Sequence, residues 1–140
     1  MVRRSALFLL LLPAAWLRAG STALDSIRGS LRLSAGRPAL DVKGRAVALT
    51  GDDASMKVLE DERIRDADFE VHGRWIDQSP ANPRFEIEKI HTRSMFVHQG
   101  GKRLMVTYWC DVCYIRTYSP GICWCCQKNT DLDLREAVND

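Results

Sequence analysis

Five cysteines lie close together near the C-terminus, and their spacing is the strongest chemical signal in the sequence. In chain order they are Cys110, Cys113, Cys123, Cys125 and Cys126. Cys110 with Cys113 and Cys123 with Cys126 form two C-x2-C pairs, and each pair can place two thiolates on one side of a tight turn, as a tetrahedral metal site requires. We therefore predict a structural zinc site with the ligands Cys110, Cys113, Cys123 and Cys126, which leaves Cys125 as the spare thiol.

Other chemistries of the same cysteines stay open at this point. In an exported protein they can form disulfides, although a bond within either C-x2-C pair would not cross-link distant parts of the chain. Thiolates also suit Cu(I), and a C-x2-C pair can exchange disulfides. An iron–sulfur cluster would be vulnerable outside the cytoplasm. A c-type haem is disfavoured, because Tyr114 stands where the motif C-x-x-C-H requires a histidine.

The N-terminus has the pattern of a cleaved targeting segment. Arg3 and Arg4 precede an uncharged apolar stretch over 5–17, and small residues follow it. The stretch is shorter than the roughly 20 residues that span a bilayer. We predict a signal peptide over 1–23, cleaved after Ala19 or Ala23, export to the periplasm or the extracellular space, and no stable membrane span after cleavage.

Charge and composition exclude several classes of protein. The chain is 46% hydrophobic and 27% charged, which is ordinary for a globular domain and unlike a disordered or collagen-like chain. Three of the 20 basic side chains lie within 1–23, whereas all 18 acidic ones follow, so the mature chain has a net charge of about −1. A near-neutral chain has no large electrostatic attraction to nucleic acid, which we therefore do not expect as a partner.

Most of the chain that precedes the cysteines alternates with a period of two. The clearest strand has Phe69, Val71, Gly73 and Trp75 on one face and Asp68, Glu70, His72 and Arg74 on the other. Further strands are predicted around Val47 and Leu49, around Met56 and Val58 after a turn at 51–53, and at Phe85 and Ile87. A hairpin is predicted from Met95–His98 to Arg103–Trp109, with Gly100 and Gly101 at its turn.

These strands predict a mainly β fold: a small antiparallel five-stranded barrel or sandwich with a cysteine-rich C-terminal arm. The barrel resembles the OB type in strand number and size alone, and this resemblance assigns no function. We expect a signal peptide over 1–23, an N-terminal arm over 24–44, the barrel core over 45–109, and the arm with a short helix from Asn129 over 110–140. The expected core consists of Phe69, Val71, Trp75, Phe85, Ile87, Leu104 and Val106.

Several other side chains carry weaker signals. The aromatic residues around the cysteines are interpreted as the roof of a small core rather than a binding surface: Tyr108, Trp109, Tyr114, Tyr118 and Trp124. His72, His91 and His98 are expected to be surface histidines, and the acids at 52–53 and 60–62 to be a solvated turn. Arg116 pairs with Asp111 or stays solvated.

The sequence has no G-x-S-x-G motif, Walker loop or dinucleotide fingerprint, which leaves the question of an enzyme open and favours a non-enzymatic protein. Two functions remain. The first is an exported, non-enzymatic binding or scaffold domain, stabilised by a metal and recognising an unknown protein or small molecule. The second is an exported protein that exchanges disulfides or handles copper.

Overall fold

The computed structural model describes residues 24–89 and 94–137. Within these ranges the chain forms nine strands, one α-helix and one 3-10 helix over Glu62–Ile64. The elements are β1 (Asp25–Ser34), β2 (Arg37–Val42), β3 (Arg45–Thr50), α1 (Asp53–Leu59), β4 (Asp68–Asp77), β5 (Arg84–Ile87), β6 (Met95–Gln99), β7 (Lys102–Cys110), β8 (Ile115–Thr117) and β9 (Asp131–Glu136). No helix in the described part of the chain is both long and apolar enough to cross a membrane.

The first five strands close into a barrel. They pair in the order β1-β2-β3-β5-β4, and β4 also pairs with β1, which closes the ring. The β3–β5 pair is parallel and the other pairs in the ring are antiparallel. The predicted mainly β fold with a five-stranded OB-like barrel is therefore confirmed, although the barrel is not antiparallel throughout and its strands differ in part from those expected.

The N-terminal arm expected over 24–44 is instead part of the barrel, as β1 and β2. The glycines that argued against regular structure lie at turns or where two strands come very close. Gly36 and Gly44 follow their strands with φ of 76° and 81°. Gly29 lies where β1 meets β2, and a Cβ there would overlap the carbonyl oxygen of Asp41. In this region glycine thus permits strand pairing.

The strand expected around Met56 and Val58 is wrong, because these residues lie in helix α1. Asp52 caps the helix, and its carboxylate accepts a hydrogen bond of 3.0 Å from the backbone N–H of Ser55. Val58 and Leu59 are buried against the barrel core. This helical turn and the 3-10 helix after it connect β3 to β4.

The predicted hairpin is confirmed and extends the barrel. β6 pairs with both β4 and β7, and Gly100 and Gly101 turn the chain with φ of 59° and 76°. The short helix expected from Asn129 is wrong: 131–136 form β9, which pairs antiparallel with β7 over six residues. Leu132 and Leu134 alternate with charged residues and pack against the core, which favours a strand.

The expected core residues lie in or against one hydrophobic cluster, except Leu104, which is half-buried. Phe69, Val71, Phe85, Ile87 and Val106 are at most 2% exposed, and Trp75 is partly buried against them. Leu31 of β1, Leu40 of β2 and Tyr108 of β7 belong to the same cluster. The core therefore joins the barrel to the sheet that leads to the cysteines.

The face of β4 that was expected to be solvated is exposed at Asp68 and Arg74, but it is half-buried and paired at Glu70 and His72. The Glu70 carboxylate contacts His72 Nε2, lies 2.8 Å from His98 Nε2, and accepts a hydrogen bond of 2.8 Å from Arg103. The expectation of ordinary surface histidines is therefore wrong for His72 and His98, while His91 lies outside the described residues. The Arg103 guanidinium also stacks 3.6 Å from the centre of the Phe96 ring.

Candidate metal centre

The first C-x2-C pair forms a tight turn at the end of β7. Cys110 is the last residue of β7, and β8 returns after the turn and pairs with β7. The N–H of Cys113 donates to the Cys110 sulfur at 3.4 Å, and the N–H of Tyr114 donates to the Cys110 carbonyl at 2.9 Å. Tyr114 has a φ of 55°. The chain thus reverses around the first two sulfurs.

The second pair repeats this arrangement. The N–H of Gln127 donates to the Cys123 carbonyl at 2.8 Å, and Gln127 has a φ of 60°. A single β-bridge between Ile122 and Asn129 closes the base of the turn, and the N–H of Cys123 donates to the Lys128 carbonyl at 2.8 Å. In both turns the fourth residue after the first cysteine adopts a left-handed conformation and bonds back to that cysteine. The two pairs therefore form matched turns.

The two turns bring four sulfurs to one point. The Sγ atoms of Cys110, Cys113, Cys123 and Cys126 all lie within 4.8 Å of one another, and those of Cys110 and Cys126 are 3.5 Å apart. A tetrahedral site with Zn–S bonds of about 2.3 Å places its sulfurs roughly 3.8 Å apart. The four cysteines that we predicted as ligands are thus brought together at distances that suit one metal ion.

Burial distinguishes the five cysteines from one another. Cys110 and Cys123 are buried, Cys113 and Cys126 are half-buried, and Cys125 is exposed and lies outside the group of four sulfurs. The ligand pattern therefore puts one cysteine of each pair in the protein interior and the other near the surface.

Backbone hydrogen bonds favour the thiolate form of one of the four cysteines. The N–H groups of Cys126 and Cys125 donate to the Cys123 sulfur and lower the pKa of its thiol to about 7. A hydrogen bond with Cys125, together with burial, instead raises the pKa of the Cys113 thiol. A bound cation would stabilise all four thiolates, because a thiol releases its proton to the solvent when its sulfur coordinates a metal ion.

A buried acid connects the barrel to the metal centre. The Asp61 carboxylate accepts a hydrogen bond of 2.9 Å from the Tyr108 hydroxyl. It also accepts hydrogen bonds from Nε and Nη2 of Arg63, at 2.9 Å and 2.8 Å. The third guanidinium nitrogen of Arg63, Nη1, donates to the Thr130 carbonyl at 3.2 Å. The Asp61 side chain is 6% exposed. The interpretation of this acid as part of a solvated turn is therefore wrong. Because Tyr108 precedes Cys110 on β7 and Thr130 follows the second turn, this network fixes both ends of the cysteine segment.

Arg116 makes a second connection. Its Nη1 donates to Asp133 Oδ2 and to Thr107 Oγ1, both at 2.7 Å, and its guanidinium lies 4.9 Å from the centre of the Trp109 ring. The partner of Arg116 is thus Asp133 on β9 rather than Asp111. This pairing holds β7, β8 and β9 together on the side of the sheet that faces away from the core.

The aromatic residues around the centre divide into two groups. Tyr108 is fully buried and Trp109 is half-buried, as expected for a roof over the core. Tyr114, Tyr118 and Trp124 are exposed, to 76%, 38% and 77%, so the expectation is wrong for these three. Tyr114 directly follows Cys113, and Trp124 lies between Cys123 and Cys126, so both belong to the tight turns and leave their rings largely in solvent.

A groove lies elsewhere on the barrel. Its volume is about 590 Å³, and it lies between β3, β5, the start of β2 and helix α1. The lining includes apolar groups and charges of both signs: Pro38, Met56, Ile76, Arg37, Arg84, Glu60 and Glu86. Its volume is within the range of ligand pockets in proteins.

No family model, curated protein or solved structure matches the chain.

Proposed function

We propose that this chain is an exported, non-enzymatic binding or scaffold domain whose C-terminal cysteine segment is held by a structural zinc ion. The observation that carries the proposal is the convergence of four thiols from two matched turns. Two separate disulfides require sulfurs to meet only in pairs. A single tetrahedral ion requires all four to meet at one point, as they do here.

The ligand set favours zinc over other ions. Four thiolates in a closed tetrahedral arrangement are typical of zinc or of iron–sulfur centres. Zinc has no redox chemistry of its own and is the better match for a protein in an oxidising compartment. Four protein ligands also leave no open position for a substrate or a water molecule, which favours a structural role over a catalytic one.

The groove on the barrel is the best candidate for ligand binding. It combines an apolar lining with the charged groups of Arg37, Arg84, Glu60 and Glu86, so it offers both shape and polar contacts to a small molecule or an extended segment of a protein. The zinc ion would stabilise the C-terminal segment and take no direct part in binding.

Export is supported by the leader over 1–23, which has a basic start, an apolar centre and small residues at its end. Sequencing the N-terminus of protein recovered from outside the cytoplasm tests it. We expect the chain to begin at Gly20 or Leu24, and a chain that still begins at Met1 would contradict export.

An exported thiol protein that exchanges disulfides or carries copper is the alternative. The observation that favours it is the exposed fifth thiol, Cys125, beside the other four. Bound copper in native protein, or a C-x2-C pair that is oxidised and reduced in turnover, would support this alternative.

The test of the zinc site is a set of five single Cys→Ser variants. Each is purified from its native compartment and assayed for metal by mass spectrometry and for thermal unfolding with and without a chelator. We expect one zinc per chain in the wild type and in Cys125→Ser, and loss of zinc in the other four. If Cys125→Ser loses metal as completely as Cys110→Ser, the ligand assignment is wrong. If wild-type protein holds no metal and no free thiols, disulfides replace zinc.

A further inference from the structure

Strand β9 lies at an edge of the sheet. Among the described strands it pairs with β7 alone, antiparallel and without a shift in register over 131–136. In an antiparallel strand the N–H and C=O groups of successive residues point alternately to its two sides. The N–H of Ala137, directly after β9, donates to the Arg103 carbonyl at 3.2 Å, so the odd-numbered residues bond to β7. The backbone groups of Leu132, Leu134 and Glu136 therefore point away from β7.

The open part of this edge is short and well defined. Before it, the second cysteine turn occupies the edge, because the N–H of Thr130 donates to the Gly121 carbonyl at 3.0 Å. From 132 to 136, no hydrogen bond within the described residues uses the outward backbone groups. Proteins commonly protect such an edge with proline, lysine or a bulge, and 132–136 has none of these. Three residues thus offer unpaired donors and acceptors to another strand.

We propose that two copies of this chain associate through this edge, with β9 of one copy antiparallel to β9 of the other about a twofold axis at Leu134. An antiparallel partner that uses every outward group of Leu132, Leu134 and Glu136 must place its own Leu134 opposite this one. Leu132 then pairs with the partner's Glu136, and Glu136 with the partner's Leu132. Each of the three pairs exchanges two backbone hydrogen bonds across the interface.

The charges of β9 complement themselves in this register, which favours a second copy as the partner. Asp133 lies opposite the partner's Arg135, and Arg135 lies opposite the partner's Asp133. These positions have no backbone hydrogen bonds between them, so their side chains come closest across the strands. A shift by two residues would instead set Asp133 against Asp133 or Arg135 against Arg135, and like charges directly opposite are destabilising. The open edge and the charges therefore select the same centre.

The side chains on both faces of β9 suit this arrangement. Arg135 bonds to Asp133 of its own chain through Nε at 2.9 Å, and its side chain is 56% exposed. Its two terminal nitrogens have no hydrogen bond within the described residues, so they are available to the partner's carboxylate. On the other face Leu134 packs against the core cluster, and it would meet the partner's Leu134 at the axis.

The dimer joins two barrels through one continuous sheet. The residues that line the groove and the four cysteines that converge do not lie on β9, so each copy keeps both sites. A contact between two short strands belongs to the small interfaces, below about 1,200 Å² in total, that are typical of weak complexes. We therefore expect a dimer that forms reversibly as the concentration rises and that presents two grooves.

The experiment is sedimentation equilibrium of the mature full-length chain at pH 7, from about 1 µM to about 1 mM, a range that includes weak dimers. Wild type should pass from monomer to dimer. Arg135→Glu places an acid opposite Asp133 in both charge pairs and should weaken dimerisation at least about tenfold. The matched control is Lys43→Glu, which makes the same change of charge in the exposed turn between β2 and β3 and should dimerise as wild type does.

A second variant acts on the backbone. Glu136→Pro removes an N–H that points outward and that β7 does not use, and proline is tolerated at the edge of a sheet. We expect no dimer of this variant in the same concentration range. Circular dichroism and thermal unfolding check that both variants keep the fold. In wild type, hydrogen exchange at the Leu134 amide should slow as the concentration rises, because dimerisation gives this amide an acceptor.

Two results would overturn the proposal. One is wild-type protein that remains a monomer up to about 1 mM. The other is a dimer that folded Arg135→Glu and folded Glu136→Pro both form as readily as wild type, because another surface must then hold it. Either result leaves the zinc site and the groove as they stand, since metal content and ligand binding test those separately.

Discussion

Replacing Tyr108 by phenylalanine should weaken the connection between the barrel and the cysteine segment. The ring of Tyr108 is fully buried, and its hydroxyl donates a hydrogen bond of 2.9 Å to the Asp61 carboxylate. Phenylalanine keeps the ring and its packing and removes only the hydroxyl. The carboxylate keeps its hydrogen bonds from Arg63. The variant therefore isolates one buried hydrogen bond to a charged acceptor.

The expected loss follows from the kind of hydrogen bond that is removed. A hydrogen bond to a charged group contributes about 1.5–3 kcal/mol to stability. Because Arg63 still satisfies the Asp61 carboxylate, we expect Tyr108→Phe to lower the free energy of unfolding by about 1.5 kcal/mol, at the low end of that range. Asp61→Ala should lower it further, by about 3 kcal/mol, since it leaves the Tyr108 hydroxyl and the Arg63 guanidinium without their acceptor. The Arg63 side chain is 43% exposed, and solvent screening keeps the second value from being larger.

The assay is urea unfolding of zinc-loaded protein at pH 7, followed by circular dichroism at equal zinc content. The matched control is Tyr118→Phe, because the Tyr118 side chain is 38% exposed. We expect the control to remain within about 0.5 kcal/mol of wild type. If Tyr108→Phe is no less stable than Tyr118→Phe, the network at Asp61 does not hold the cysteine segment to the barrel.

Two further changes test other parts of the structure. Gly73→Ala should lower the thermal unfolding temperature strongly, because the added Cβ would overlap the Glu86 carbonyl group, whose carbon would lie 2.9 Å away. An unchanged unfolding temperature would show that β4 and β5 are not so close. Burial of Glu70 would raise its pKa, but hydrogen bonds from His72 and His98 outweigh this and hold it below the usual 4.5. A carboxyl group with a lowered pKa in the folded state stabilises the fold above pH 4.5 and loses this effect as the pH falls through the folded-state pKa. Glu70→Gln should therefore be less stable than wild type at pH 7, and the difference should shrink in acid; a difference that grows in acid would refute this.

Local sequence patterns predicted the strands with a clean alternation, and missed elements whose signal is short or mixed. The β6–β7 hairpin follows from Gly100 and Gly101 between two alternating runs. Helix α1 has only seven residues, and the cap at Asp52 was not distinguished from a turn. For β9, the alternation of Leu132 and Leu134 with charged residues was present in the sequence, but the acids near the start were interpreted as the first turn of a helix.

The candidate site could be predicted in part. The spacing of the cysteines was enough to select the four that converge, because a C-x2-C turn is a local structure. The contacts of the site with the barrel could not be predicted. Asp61 and Tyr108 are 47 residues apart, and Arg116 and Asp133 are 17 apart. Such pairs depend on strand register in the folded chain, which the period of two does not specify.

X-ray absorption at the zinc edge, measured on native protein, tests the central claim most directly. A site formed by Cys110, Cys113, Cys123 and Cys126 predicts a single shell of four sulfurs at about 2.3 Å. The same shell should persist in Cys125→Ser, whereas Cys113→Ser should replace one sulfur by a lighter atom or lose the ion. A shell dominated by nitrogen or oxygen in the wild type, or the absence of zinc from native protein, would contradict the account.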